Sequence, residues 1–453
     1  MNQTSPVPES TALDVPAIER YAREFAQFSA TRTEQPWLRQ ARTTAWQRFA
    51  ELGFHTVKHE DWKYTNVAAI ERRPFHFAAS GAGPVRGDGV ESRALPVEDG
   101  HRLVFVNGRY VAALSEVSAL PSGVSLSSLA SALLQGPDEL RPMLSSRASL
   151  PASGFEALNG AFMSDGAFVA LAPGTVVEAP IQLFFLATEP DLVTHPCNIV
   201  LAGAGSSATI VEQYSALIDS PYWTNAVTRI VLHDAAAIEH YKLQQEGRAA
   251  FHIASLHVDQ ERDSRFASHM FSLGARLART DIATRLNAEG CDATLNGLYI
   301  AGGRQHVDYH TCIEHGKANG TSREFYKGIL DGAARAVFNG KLIVRPDAQN
   351  SNAQQNNRNL LLSDDAEVDT KPQLEIFADD VKCTHGATVG QLDPAQLFYL
   401  RSRGVDSEVA RSLLTFGFAE DVIARVRLTG LRTRLEELVL GRLPDSQRIK
   451  ELL

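Results

Sequence analysis

The sequence predicts a mainly β fold: a β-helix core set between two α-helical regions. Three observations carry this. From about Asp165 the chain becomes a succession of short β-rich runs broken by Gly, Asp, Asn and Ala. The runs leave no room for crossover helices, which excludes a doubly wound sheet. Small-residue turns recur at Gly205-Ser206-Ser207-Ala208, Asp234-Ala235-Ala236-Ala237 and Arg262-Asp263-Ser264-Arg265, a spacing of roughly 29 residues that marks a stacked repeat. Helical periodicity precedes this region and returns after Gly390. A large β-sandwich is the competing architecture on pattern alone.

The length of 453 residues allows more than one domain, and the changes of pattern set expected boundaries at 1–160, 161–390 and 391–453. The net charge of −9 argues against nucleic-acid or anionic-membrane partners. No apolar run reaches the length of a membrane span. The start, MNQTSPVPEST, lacks the basic and apolar regions of a signal peptide and reads as a disordered lead. Cys197, Cys291, Cys312 and Cys383 are far apart and form no C-x-x-C pair. Reduced thiols and a cytoplasmic location are expected.

In chain order, Ile18, Tyr21, Ala22 and Phe25 share one face of an amphipathic helix. A second helix starts at Pro36 and stops at Gly53. His59–Thr65 reads as a surface turn anchored by Trp62, and 78–100 as a linker. HRLVFVNGRYVAA (His101–Ala113) is a hairpin signal centred on Asn107-Gly108. Residues 121–150 suit short helices. Beyond the β region, Asp393-Pro394 opens a helix that Gly404 ends. Val409, Leu413 and Phe416 follow Asp406 at helical spacing, and Leu431, Leu435 and Leu438 mark another amphipathic helix. A β-solenoid has open ends, which these helical regions would cap or turn into docking surfaces.

Four polar constellations stand out. On a strand, His306, Asp308, His310 and Cys312 share one face, opposite Val307, Tyr309, Thr311 and Ile313. That stripe reads either as a metal site or, more simply, as a hydrogen-bonded polar row. The tract NSNAQQNNRN (Asn350–Asn359) reads as solenoid turns whose side chains bond successive backbones. The acidic run Asp364–Asp369 reads as a solvated turn. Cys383 and His385 share a face beside Gly386, which permits close backbone approach; thiolate and imidazole are good metal ligands, but the pair needs donors from elsewhere. No phosphate-binding loop, dinucleotide fingerprint or nucleophile elbow is present. The chain therefore reads as a scaffold. A carbohydrate-active solenoid and a purely structural one are the alternatives.

Four segments, Val337–Gln349, Asn357–Gly390, Leu397–Gly404 and Glu60–Thr65 (EDWKYT), resemble the SufD members of the SufB/SufD family of the SUF iron–sulfur cluster assembly system. The resemblance implies a right-handed parallel β-helix core with flanking helical regions, working with a SufB paralogue and the SufC ATPase. SufB-like chains carry an acidic C-E-H-E-A at the junction and a cysteine just before the strand matching Leu360–Ser363. This chain has Cys383-Thr384-His385-Gly386-Ala387 and no cysteine in Gln349–Asn359. The resemblance places His385, with Cys383 as a weaker candidate, at the SufB interface, where a transient cluster is built, and the C-terminal helices against SufC. It further implies a reduced flavin in the full complex, for which no motif here supplies a place. Exposed solenoid edges also make the isolated chain a candidate homodimer.

Overall fold

The computed structural model describes residues 15–77, 87–96, 100–136, 139–145, 153–445 and 447–449. The expected N-terminal lead and most of the expected linker lie outside the described residues. Contacts divide the chain into two compact units, one of residues 1–74 and 133–163, the other of 75–132 and 164–453.

The first unit is helical. Val15–Ala30 and Pro36–Leu52 are α-helices, the second opened by Pro36 and stopped by Gly53 at φ 61°. Tyr21, on the predicted apolar face, is fully buried and meets Phe49 edge-on at 5.9 Å. Trp62 sits in a short 3-10 turn, stacked between His55 (4.9 Å) and Phe155 (5.1 Å), while Asp61, Lys63 and Tyr64 remain exposed. The predicted anchored turn is therefore present.

The second unit is a parallel β-solenoid. Along the chain, successive strands from Cys197 onward alternate between two sheets. Each strand pairs in parallel with the strand one coil away: Trp223–Leu232 on Phe251–Gln260, and Ala237–Gln245 on Arg265–Ser272. The repeat spacing has a specific cause at one corner. Gly205, Ala235, Asp263, Gly290, Asn319 and Asn350 all have positive φ. Each donates its N–H to the carbonyl just before its counterpart in the next coil, as in Gly205 to Asp234 (2.8 Å) and Ala235 to Arg262 (2.7 Å). Gly, Asn and Asp suit this left-handed conformation, so the turns are small and polar.

Alternate strand residues point into the lumen. Ala208, Ile238, Phe266 and Ala293 stack in register, and Phe105, Phe185 and Tyr214 stack at 4.7 and 4.8 Å. The predicted hairpin forms, with Phe105 opposite Tyr110 across Asn107-Gly108, and adds to the second sheet. Within 121–150, helices form at Leu129–Gln135 and Leu140–Ser145. Val124–Ser128, however, is a strand antiparallel to Ala167–Leu171, because its period-two alternation extends the first sheet.

The C-terminal helices are Pro394–Ser402, Ser407–Ile423 and Thr429–Leu440, with Asp393 and Asp406 capping the first two. The last two do not plug the solenoid end. They pack along the outer face of the second sheet, where Phe416, Ala419, Val422, Leu431 and Leu435 meet Val211, Tyr241, Phe271 and Leu298. Strands Glu367–Ile376 and Val381–Gly390 end their sheets, with no further strand beside them among the described residues. No helix among the described residues is long and apolar enough to cross a membrane.

Candidate metal-ligand site at the open coil

Val381–Gly390 runs parallel to Ser351–Leu361, with Cys383 opposite Ala353 and His385 opposite Gln355. Ala353 belongs to the luminal core, so Cys383 and His385 share the inward face of the last coil. Cys383 is half-buried against that core, and burial raises its thiol pKa against the pull of a backbone hydrogen bond at Ala353. His385 is exposed, because no further coil covers it. Gly386 is not a point of tight backbone contact within the chain. A Cβ there would come no closer than 3.7 Å, to Asn356, since this edge has no following coil.

Ile376 (40% exposed), Phe377 (57%) and Val389 (45%) add an apolar rim around these terminal strands. Behind His385, one coil inward, stands Gln355, whose Nε2 donates to Glu324 Oε2 at 2.6 Å. Burial pushes the Glu324 carboxyl up to about 7, against the pull of Thr311 and Gln355 beside it. Sequence reading missed this pair. A signal was present for Glu324 alone, which falls on the inward alternation of Thr321–Leu330, in step with the buried Tyr326.

The Asn350–Asn359 tract is a strand, not a set of turns; only Asn350 sits at a corner. Gln355, Asn357 and Asn359 point inward; the two asparagines are satisfied by other side chains, while Gln355 Oε1 has no partner among the described residues. Asn357 donates to Tyr299 Oη at 3.2 Å, and Asn359 donates to Asn357 Oδ1 at 2.7 Å. The acidic run is only partly a turn: Asp364 and Asp365 are, while Glu367 and Asp369 lie on the next strand, with Glu367 paired to Arg335 at 3.0 Å.

The His306–Cys312 stripe lies on the opposite face from the luminal Val307, Tyr309 and Ile313, as the alternation predicts. It is held by an ion-pair network. Asp308, fully buried, pairs with Arg279 at 2.8 Å and with His310 at 3.1 Å, and Arg279 also reaches Asp281 at 2.7 Å. Burial opposes the Asp308 charge, but Arg279 and His310 outweigh it and hold the carboxyl well below its usual range. A guanidinium thus compensates the carboxylate that a metal would need. Among the described residues, no group of three or more His, Cys, Asp or Glu side chains is placed to hold a metal ion. All four cysteines are free thiols.

A second, deeper polar cluster also escaped sequence reading. Glu212 accepts from Thr228 at 2.6 Å and Tyr214 at 2.9 Å, and Glu246 accepts from Thr224 at 2.7 Å. Buried Lys242 lies with them; burial lowers its ammonium to about 8 against the opposing pull of Glu212 and Glu246.

The description "SUF system FeS cluster assembly, SufBD core domain" matches residues 184–418, and the SufBD protein N-terminal region matches 17–183. The chain is 34% identical to the iron–sulfur cluster assembly protein SufD of Escherichia coli, over 89% of this chain and 92% of that protein. It is also 34% identical to an iron–sulfur cluster assembly SufBD family protein of Synechocystis, over 90% and 91% of the two chains. SufD of Bacillus subtilis is 24% identical over 91% and 95%. With both regions matched in order along one solenoid chain, the protein belongs to the SufBD family of the SUF iron–sulfur cluster assembly system.

Proposed function

We propose that this chain is a SufD-type scaffold subunit, cytoplasmic and without turnover of its own, on which an iron–sulfur cluster is built as cargo. The observation that carries the reading is His385: an exposed imidazole on the inward face of an unpaired terminal coil, with Cys383 beside it. A SufB-like paralogue pairs with that open coil and supplies the remaining donors. The exposed edges and the apolar rim of Ile376, Phe377 and Val389 support a protein partner there. When the paralogue is absent, the same edge pairs two copies of this chain.

A SufC-type ATPase docks on the C-terminal helices. Phe398 and Tyr399 support this, standing 73% and 58% exposed on Pro394–Ser402. Deleting all the helices would bare the apolar face of the second sheet, so the sharper test changes only these two side chains. Co-expression of the tagged chain with a SufB-like protein and the ATPase is expected to recover both partners. Phe398→Ala with Tyr399→Ala is expected to lose the ATPase and keep the paralogue. Full retention of the ATPase would contradict the docking assignment.

A further inference from the structure

We infer that Gln355 is a positioning residue for His385: its buried, unmet side-chain carbonyl is the acceptor offered to the N–H of one imidazole nitrogen, a bond that would leave the other nitrogen as a free lone pair. The inference rests on the reading of His385 as a partner-completed ligand and names the group that sets its orientation.

Glu324, Gln355 and His385 occupy one register position on three successive strands of the second sheet. Side chains stacked this way stand about 4.8 Å apart along the solenoid axis. Gln355 Nε2 donates to the Glu324 carboxylate at 2.6 Å. Above about pH 7 Glu324 is ionised and its carboxylate only accepts, so there this bond fixes which end of the amide is nitrogen. The amide nitrogen is turned back toward Glu324. The amide oxygen, Oε1, is buried and has no hydrogen-bond partner among the described residues. Such an acceptor is destabilising while it is unmet. The next member of the stack is the ring of His385.

The opposite wall fixes the amide as well. Gly340 faces the lumen, and a Cβ there would stand 1.8 Å from Gln355 Nε2. The glycine makes room for the amide, and its close approach limits where the amide can lie. An imidazole that donates from one nitrogen to such a carbonyl is held in one tautomer with its other nitrogen unprotonated, which is how ligating histidines are usually oriented. Cys383 has no side-chain acceptor beneath it: its neighbour in the stack is Ala353, which meets the thiol only through its backbone. The lumen thus positions the histidine and not the thiol.

The test reads the tautomer directly, in the full chain labelled with 15N-histidine, at a pH where His385 is neutral. The His385 signals are those lost in His385→Asn. The wild-type chain is expected to show one pyrrole-like and one pyridine-like ring nitrogen. In Gln355→Met the two shifts should move toward each other, as in an unrestrained imidazole. Glu324→Met, which frees the amide to turn, should do the same without touching Gln355. Unchanged signals from buried His315, bonded to Ser351 and Ser322, certify the fold. Averaged shifts in the wild type, or a pair unmoved by both variants, would overturn the inference. Loss of cluster assembly in His385→Ala with unmoved shifts in Gln355→Met would keep the ligand reading and discard Gln355. The reverse would keep Gln355 and discard the ligand reading.

Discussion

Lys327 and Phe418 fasten the solenoid to its C-terminal helices: the Lys327 ammonium donates to the Phe418 carbonyl at 2.9 Å and lies 4.0 Å from the centre of its ring. The same ammonium pairs with Asp421. The lysine is buried and on the outward alternation of its strand, which faces these helices.

Lys327→Met keeps the stem and removes the charge. It is expected to cost about 2 kcal/mol, from the charge-assisted hydrogen bond to Phe418, the pair with the more exposed Asp421 and the cation–π contact, less the desolvation of the ammonium. Urea unfolding of the full chain measures this. A loss below about 0.5 kcal/mol would show that the apolar contacts alone hold the helices.

Glu324 makes stability fall with pH over a defined window. Its folded pKa is raised to about 7 from 4.5, so the folded chain holds a proton that the unfolded chain has released. Stability is therefore lost as pH rises from 4.5 through about 7, by ~3 kcal/mol when complete. Glu324→Gln removes this titration. Its melting temperature should gain on the wild type between pH 5 and pH 8, and parallel pH profiles would contradict the assignment.

Arg279 and Asp308 predict that the histidine stripe is indifferent to metals. Arg279→Met leaves a buried carboxylate without its cation and is expected to cost about 3–5 kcal/mol. A chelator should leave the wild-type melting temperature unchanged. A fall on chelation, or a rise with added zinc, that persists in His385→Ala with Cys383→Ala would show that the stripe binds metal.

Much of the fold was legible because repeated backbone demands leave repeated residues. The turns at Gly205, Ala235 and Asp263 betray a left-handed corner that recurs once per coil. The helix starts at Asp393 and Asp406 follow from local capping chemistry. Asn350–Asn359 misled because amide side chains usually mark turns, and only the lumen of a stacked coil can satisfy them along a strand. His385 and Cys383 were visible as a face-sharing pair, yet their exposure depends on which strand comes last. Glu324 and Gln355 were invisible as a pair for the same reason. They are 31 residues apart, and only the register of neighbouring coils brings them together.

The most direct test is the iron and sulfide content of the complex purified anaerobically with a SufB-like paralogue and the ATPase, compared between wild type and His385→Ala. Equal recovery of all subunits with cluster content lost in the variant is the expected result. Equal recovery with cluster content unchanged would contradict the claim that this chain contributes His385 to the assembly site.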